Sequence, residues 1–154
     1  MKLDRFARKY RKNMESRLAS KGILFEYISD SETVAALKSN WLTSFAAGTK
    51  TDDIYIDQFM WHIFSFERCP CIDGEEATNS FLSQNKSQCY IFFQHHDDAY
   101  YLENAATLTQ NDFIDGIDFH SSDLYVVSKR FNWTYVVTHE SQCGPYYYHK
   151  KLFS

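Results

Sequence analysis

Near residue 88 the chain changes its hydrophobic period, and that change limits what it can fold into more than any other feature. Before it, apolar residues recur every three or four positions, the spacing of one helical face. Leu3, Phe6, Tyr10, Met14 and Leu18 form the first such stripe, and Gly22 is placed to end the helix. Ile23–Ser29 reads as a short strand. Ser31 and Glu32 open a second helix on Val34, Leu37, Trp41 and Phe45, ending near Gly48. Thr51-Asp52-Asp53 supplies a cap and two acids for the positive end of a third helix. That helix carries Ile56, Phe59, Met60, Ile63 and Phe64, and Pro70 forbids its continuation. Gly74–Gln84 reads as a fourth, packed through Ala77 and Phe81.

Beyond residue 88 the runs are short, aromatic and β-rich. Gln88–His95 and Tyr100–Asn104 flank a hairpin turn at His96-Asp97-Asp98-Ala99. Thr107–Ile114 reads as one helical segment capped by Thr109 or Thr107. Asp123–Ser128 and Trp133–Glu140 form a second strand pair joined at residues 129–132, and Gly144-Pro145 turns the chain into Tyr146–Lys150. Helices followed mostly by strands predict an α+β domain, with the N-terminal helices packed on one face of an antiparallel sheet of about four to six strands. No internal repeat and no linker interrupts the pattern. Residues 1–22 are read as a basic amphipathic helix docked on the body, and residues 23–154 as a single α+β domain.

Composition narrows the class. Hydrophobic residues make up 44% and aromatic residues 18%, with only five Gly and two Pro, so the chain has the apolar surface that disordered and low-complexity sequences lack. No run approaches the length of a membrane span, and charged residues interrupt the N-terminus where a secretory signal needs an apolar core. The expected setting is the cytoplasm. The net charge of −4 conceals an asymmetry. Residues 1–22 carry eight basic and two acidic side chains, a net +6, whereas the other 132 residues carry eight basic and eighteen acidic, a net −10. An acidic body repels phosphate backbones and anionic lipid, so a membrane or a nucleic acid is expected to meet residues 1–22 if it meets the chain at all.

The chemistry-bearing motifs are sparse. The five glycines are each at least 26 residues from the next, so the loops that cradle phosphate are absent and no nucleotide is expected by a common route. Cys69, Cys71, Cys89 and Cys143 read as reduced thiols; Cys69-Pro70-Cys71 is one residue too tight for the usual metal or redox spacing. His95, His96, Asp97 and Asp98 are weak metal candidates, better read as a polar turn because adjacent strand residues point to opposite faces. Regular alternation places Trp133, Tyr135, Val137 and His139 on one face of their strand. His139, Glu140 and His62 are weak catalytic candidates, with no nucleophile positioned beside them in the sequence. Trp61, Trp133, Tyr135 and Tyr146 are candidates for binding a ligand or partner, aromatic side chains being enriched at interfaces.

Several motifs carry a resemblance when taken in order. They are Asp57-Gln58-Phe59-Met60-Trp61-His62-Ile63-Phe64-Ser65, Gly74-Glu75-Glu76-Ala77, Cys89–Gln94, Leu102-Glu103-Asn104-Ala105, Trp133-Thr134-Tyr135-Val136, Thr138-His139-Glu140 and Gly144-Pro145-Tyr146. Together, over residues 23–151, they resemble a domain-of-unknown-function family of small cytosolic proteins from spore-forming Gram-positive bacteria. The resemblance implies a bacterial, intracellular, single-domain protein and brings no activity, cofactor or catalytic residue with it. The residues themselves favour a non-enzymatic protein-binding module, an immunity-type or regulatory partner of another protein, working without a cofactor. The alternatives are a small hydrolase built on a His/Glu/Trp pocket and a protein tethered to membrane or nucleic acid through the basic helix.

Overall fold

The computed structural model describes residues 2–46, 60–65, 71–114, 123–138 and 144–153. The chain opens with α1 (Lys2–Ser20), β1 (Leu24–Ile28) and α2 (Ser31–Ala46). α3 (His62–Ser65), β2 (Ile72–Asp73), α4 (Gly74–Ser83), β3 (Cys89–Phe93) and β4 (Ala99–Glu103) follow. A 3-10 turn (Ala105–Thr107) and α5 (Asn111–Ile114) lead to β5 (Leu124–Ser128), β6 (Trp133–Val137), β7 (Tyr146–His149) and α6 (Lys150–Phe153). Among the described residues the strands form one seven-stranded sheet in the order β1-β4-β3-β5-β6-β7-β2, and every neighbouring pair is antiparallel.

The class is the α+β expected from the change of period, but two details differ. The sheet has seven strands where four to six were expected, and helices cover both of its faces instead of one. On the first face Tyr10, Met14 and Leu18 of α1, Ala77 and Phe81 of α4, and Phe113 of α5 pack against Cys89, Ile91, Tyr100, Leu124, Val126, Trp133 and Tyr135. On the second face Val34, Leu37, Trp41 and Phe45 of α2, with Met60, Trp61, Ile63 and Phe64, pack against Phe92, Tyr125, Val127, Val136 and Tyr146. The reason lies in the central strands. All five residues of β5 and of β6 are buried, so each strand presents side chains to be covered on both sides.

Each helical layer is pinned by a polar contact as well as by packing. On the second face the indole of Trp41 donates to the Thr134 hydroxyl at 2.9 Å, and that hydroxyl donates to the Val126 carbonyl at 2.8 Å. The Trp41 ring meets those of Tyr125 and Phe64 edge to face, at 5.2 and 5.8 Å. On the first face Tyr10 donates to the Phe113 carbonyl, and Phe81 stacks on Tyr135 at 4.3 Å. Lys86, almost wholly buried, donates to the Phe81 carbonyl at 2.9 Å and so ends α4 on a cation that favours the negative helix terminus.

Several local expectations also changed. The segment 107–114 is not one helix: the 3-10 turn stops at Thr107 and α5 begins at Asn111, with the Asp112 carboxylate accepting from the Thr109 amide at 2.9 Å. β2 was not expected at all, being two residues paired with Tyr146 and Tyr147. Of the expected third helix, Thr51–Phe59 lies outside the described residues, and α3 covers only its end.

Candidate functional site

Among the residues expected to bind, the structure separates two pairs. Trp133 and Tyr135 are buried in the first-face core, while Trp61 and Tyr146 are buried in the second, stacked at 6.3 Å. The four therefore do not line one surface. His139 and Glu140 lie outside the described residues, and for His62 only its place as the first residue of α3 is described. The turn after β3 carries its four polar residues apart: His95 and Asp97 are exposed, His96 is half-buried against the Phe93 ring, and Asp98 is buried. Among the described residues no group of three or more His, Cys, Asp and Glu side chains is gathered as a metal ion requires.

Buried thiols and clefts add little chemistry. Burial pushes the Cys89 thiol up to about 12, which holds it as an inert thiol at neutral pH. A cleft of about 360 Å³ lies between α4 and the β7–α6 corner, with Gln84, Tyr147 and His149 in its lining. Three of its polar side chains are already engaged: Tyr147 donates to the Gln84 side chain, and His149 Nδ1 accepts from the Lys151 amide at 3.1 Å.

The feature that stands out is the β1 edge of the sheet. The far edge is β2, only two residues long and offering little backbone to a partner. β1 is five residues long, lies at the end of the strand order, and among the described residues is paired only with β4, Leu24 opposite Glu103 through Ile28 opposite Ala99. Its large apolar side chains remain in solvent: Leu24 is 58% exposed, Tyr27 42% and Phe25 37%. An edge strand with unpaired backbone groups and apolar side chains is a template for another strand, and proteins ordinarily blunt such edges. Here the one charge within the strand is Glu26.

A polar cluster fixes β1 against α1. Phe25 and Tyr27 both meet the Tyr100 ring, at 6.1 and 5.3 Å, so they project on the α1 face; Leu24, Glu26 and Ile28 project on the other. Tyr27 donates to Asp98 Oδ2 at 3.0 Å, Arg11 reaches the same oxygen at 3.3 Å, and the Arg11 guanidinium lies 5.6 Å from the centre of the Tyr27 ring. Tyr100 donates to Glu15 at 2.6 Å. Burial and then the Asp98 carboxylate raise the Tyr27 phenol above its ordinary range; burial and then Glu15 raise Tyr100 further. Asp98 Oδ1 is buried with no hydrogen-bond partner among the described residues. This cluster draws on positions 11, 15, 27, 98 and 100, so no local pattern in the sequence announces it.

Residues 12–147 match the family model described as a domain of unknown function, DUF4275. The chain belongs to that family. The DUF4275 match begins within the second half of α1, so the family's extent includes part of the basic helix that the motif resemblance left out. It ends at Tyr147, within β7, and so spans the whole strand set from β1 to the start of β7. No curated protein and no solved structure matches the chain.

Proposed function

We propose that this DUF4275 protein is a non-enzymatic binding module that docks an extended segment of another protein along β1. The observation that carries the reading is the open edge itself, five residues with Leu24, Phe25 and Tyr27 exposed at the end of a rigid sheet. Strand addition suits such an edge because main-chain hydrogen bonds give affinity while the alternate side chains give specificity. The α1 cluster holds β1 in place before a partner arrives, which lowers the ordering cost of association. The proposal includes a role as an immunity-type or regulatory partner in the bacterial cytosol. The buried free thiol of Cys89 is compatible with that reducing compartment.

The test uses a nine-residue peptide alternating threonine and valine, fused to a soluble carrier, as a generic strand. It binds the native protein and fails to bind Phe25→Lys, where a lysine on the α1 face of the edge strand replaces the apolar side chain that an added strand would pack beside. Phe25 is exposed enough that the variant keeps its fold, which circular dichroism verifies. Equal binding to both proteins would refute the reading.

A further inference from the structure

Resting on that reading, we propose that the segment docked on β1 is acidic on its α1-facing side and comes from a different protein, not from a second copy of this chain. The first argument is local charge. Arg11 sits over the Tyr27 ring, and Arg8 and Lys12 are its exposed neighbours on the same side of α1, one helical turn apart. On that face Arg8, Arg11 and Lys12 outnumber the carboxylates of Glu15 and Asp98, which are already engaged by Tyr100 and by Tyr27 with Arg11. The other face of the edge carries Leu24, Glu26 and Ile28, which favours apolar residues there and disfavours acids beside Glu26. A partner strand alternating acid and apolar residue satisfies both faces at once.

The second argument excludes self-pairing. Two copies joined antiparallel through β1 are related by a two-fold axis perpendicular to the sheet, so both α1 helices lie on the same side of the joined sheet. Their basic rows, each from a segment of net +6, then face one another. Glu26 is the middle residue of Leu24–Ile28, and the register that pairs all five residues places it opposite its own copy. Like charges directly opposite in an antiparallel pair are destabilising.

The experiment compares three nine-residue peptides on the same carrier, alternating valine with glutamate, threonine or lysine, against the full chain. At low ionic strength the Glu–Val peptide binds about tenfold more tightly than Thr–Val, since each exposed ion pair contributes up to about fivefold. The difference collapses at high salt. Arg8→Glu with Lys12→Glu, both at exposed positions, inverts the preference toward Lys–Val and leaves Thr–Val binding unchanged. Equal binding of Glu–Val and Thr–Val, or tightest binding of Lys–Val, overturns the acidic partner while leaving the edge reading in place. Binding of none of the three removes the edge reading itself. Sedimentation velocity on the native protein shows a monomer; a dimer that Phe25→Lys dissolves identifies the second copy as the occupant and overturns the proposal.

Discussion

Removing the Thr134 hydroxyl tests how the second helical layer is held. Thr134 is fully buried, accepts from the Trp41 indole and donates to the Val126 carbonyl. Thr134→Val keeps the side-chain shape, so little cavity forms, but it leaves the Trp41 N–H buried without an acceptor. Orphaning a buried donor costs about 1–3 kcal/mol, and a value of about 2 kcal/mol lowers the melting temperature of a chain this size by roughly 4–8 °C. Trp41→Phe costs about 3 kcal/mol, mainly through the void left beside Tyr125 and Phe64. In the Trp41→Phe background no indole remains to be orphaned, so adding Thr134→Val costs under about 1 kcal/mol. The coupling of about 1–2 kcal/mol is read from urea denaturation followed by far-ultraviolet circular dichroism. If Thr134→Val costs the same in both backgrounds, the indole is not bonded to that hydroxyl and the packing of α2 described above is wrong.

Three further outcomes follow from burial and backbone geometry. Tyr100, Tyr125, Tyr135 and Tyr147 are all raised, chiefly by burial, Tyr147 to about 12. Above pH 10 the unfolded chain therefore loses protons that the native chain keeps, and stability falls with rising pH by about 1.4 kcal/mol per pH unit for each such phenol. Tyrosinate absorbance should rise together with loss of structure; titration of these phenols in a chain that stays folded would contradict their burial. Cys89 should resist alkylation in the native protein and react only after unfolding, as read by peptide mass mapping, and rapid native labelling would place it outside the core. Gly144→Ala should lose about 1–3 kcal/mol, because φ is +86° and an added Cβ would lie 3.1 Å from the Tyr146 ring; an unchanged urea midpoint would show that the turn adapts.

The parts of this fold that were legible in the sequence are those set by local periodicity. The α1 stripe of Tyr10, Met14 and Leu18, the α2 stripe from Val34 to Phe45, and the β3–β4 and β5–β6 hairpins all depend on neighbours within one element or across one short turn. The second helical layer has a local signature in the two central strands. Leu124–Val127 and Trp133–Val137 are apolar or aromatic at nearly every position, the mark of strands covered on both faces. Which aromatic residues share a surface was not legible. Trp133 and Tyr146 fall on opposite faces because of the register between β6 and β7, which neither strand determines alone. The β1 edge escaped for the same reason. Leu24–Ile28 reads like any half-buried strand, and only the strand order, with β4 as its one neighbour among the described residues, leaves it open. The pairing of Arg11 with Asp98 joins residues 87 positions apart, beyond any local motif.

The central claim is that β1 is the docking edge, and amide NMR during titration with the Glu–Val peptide tests it most directly. The account predicts that resonances of Leu24–Ile28 and of Arg8–Lys12 move together and that β1 amides gain protection from hydrogen exchange. Shifts that gather instead around Gln84, Tyr147 and His149, with β1 unaffected, would contradict it and move the site to the cleft between α4 and β7.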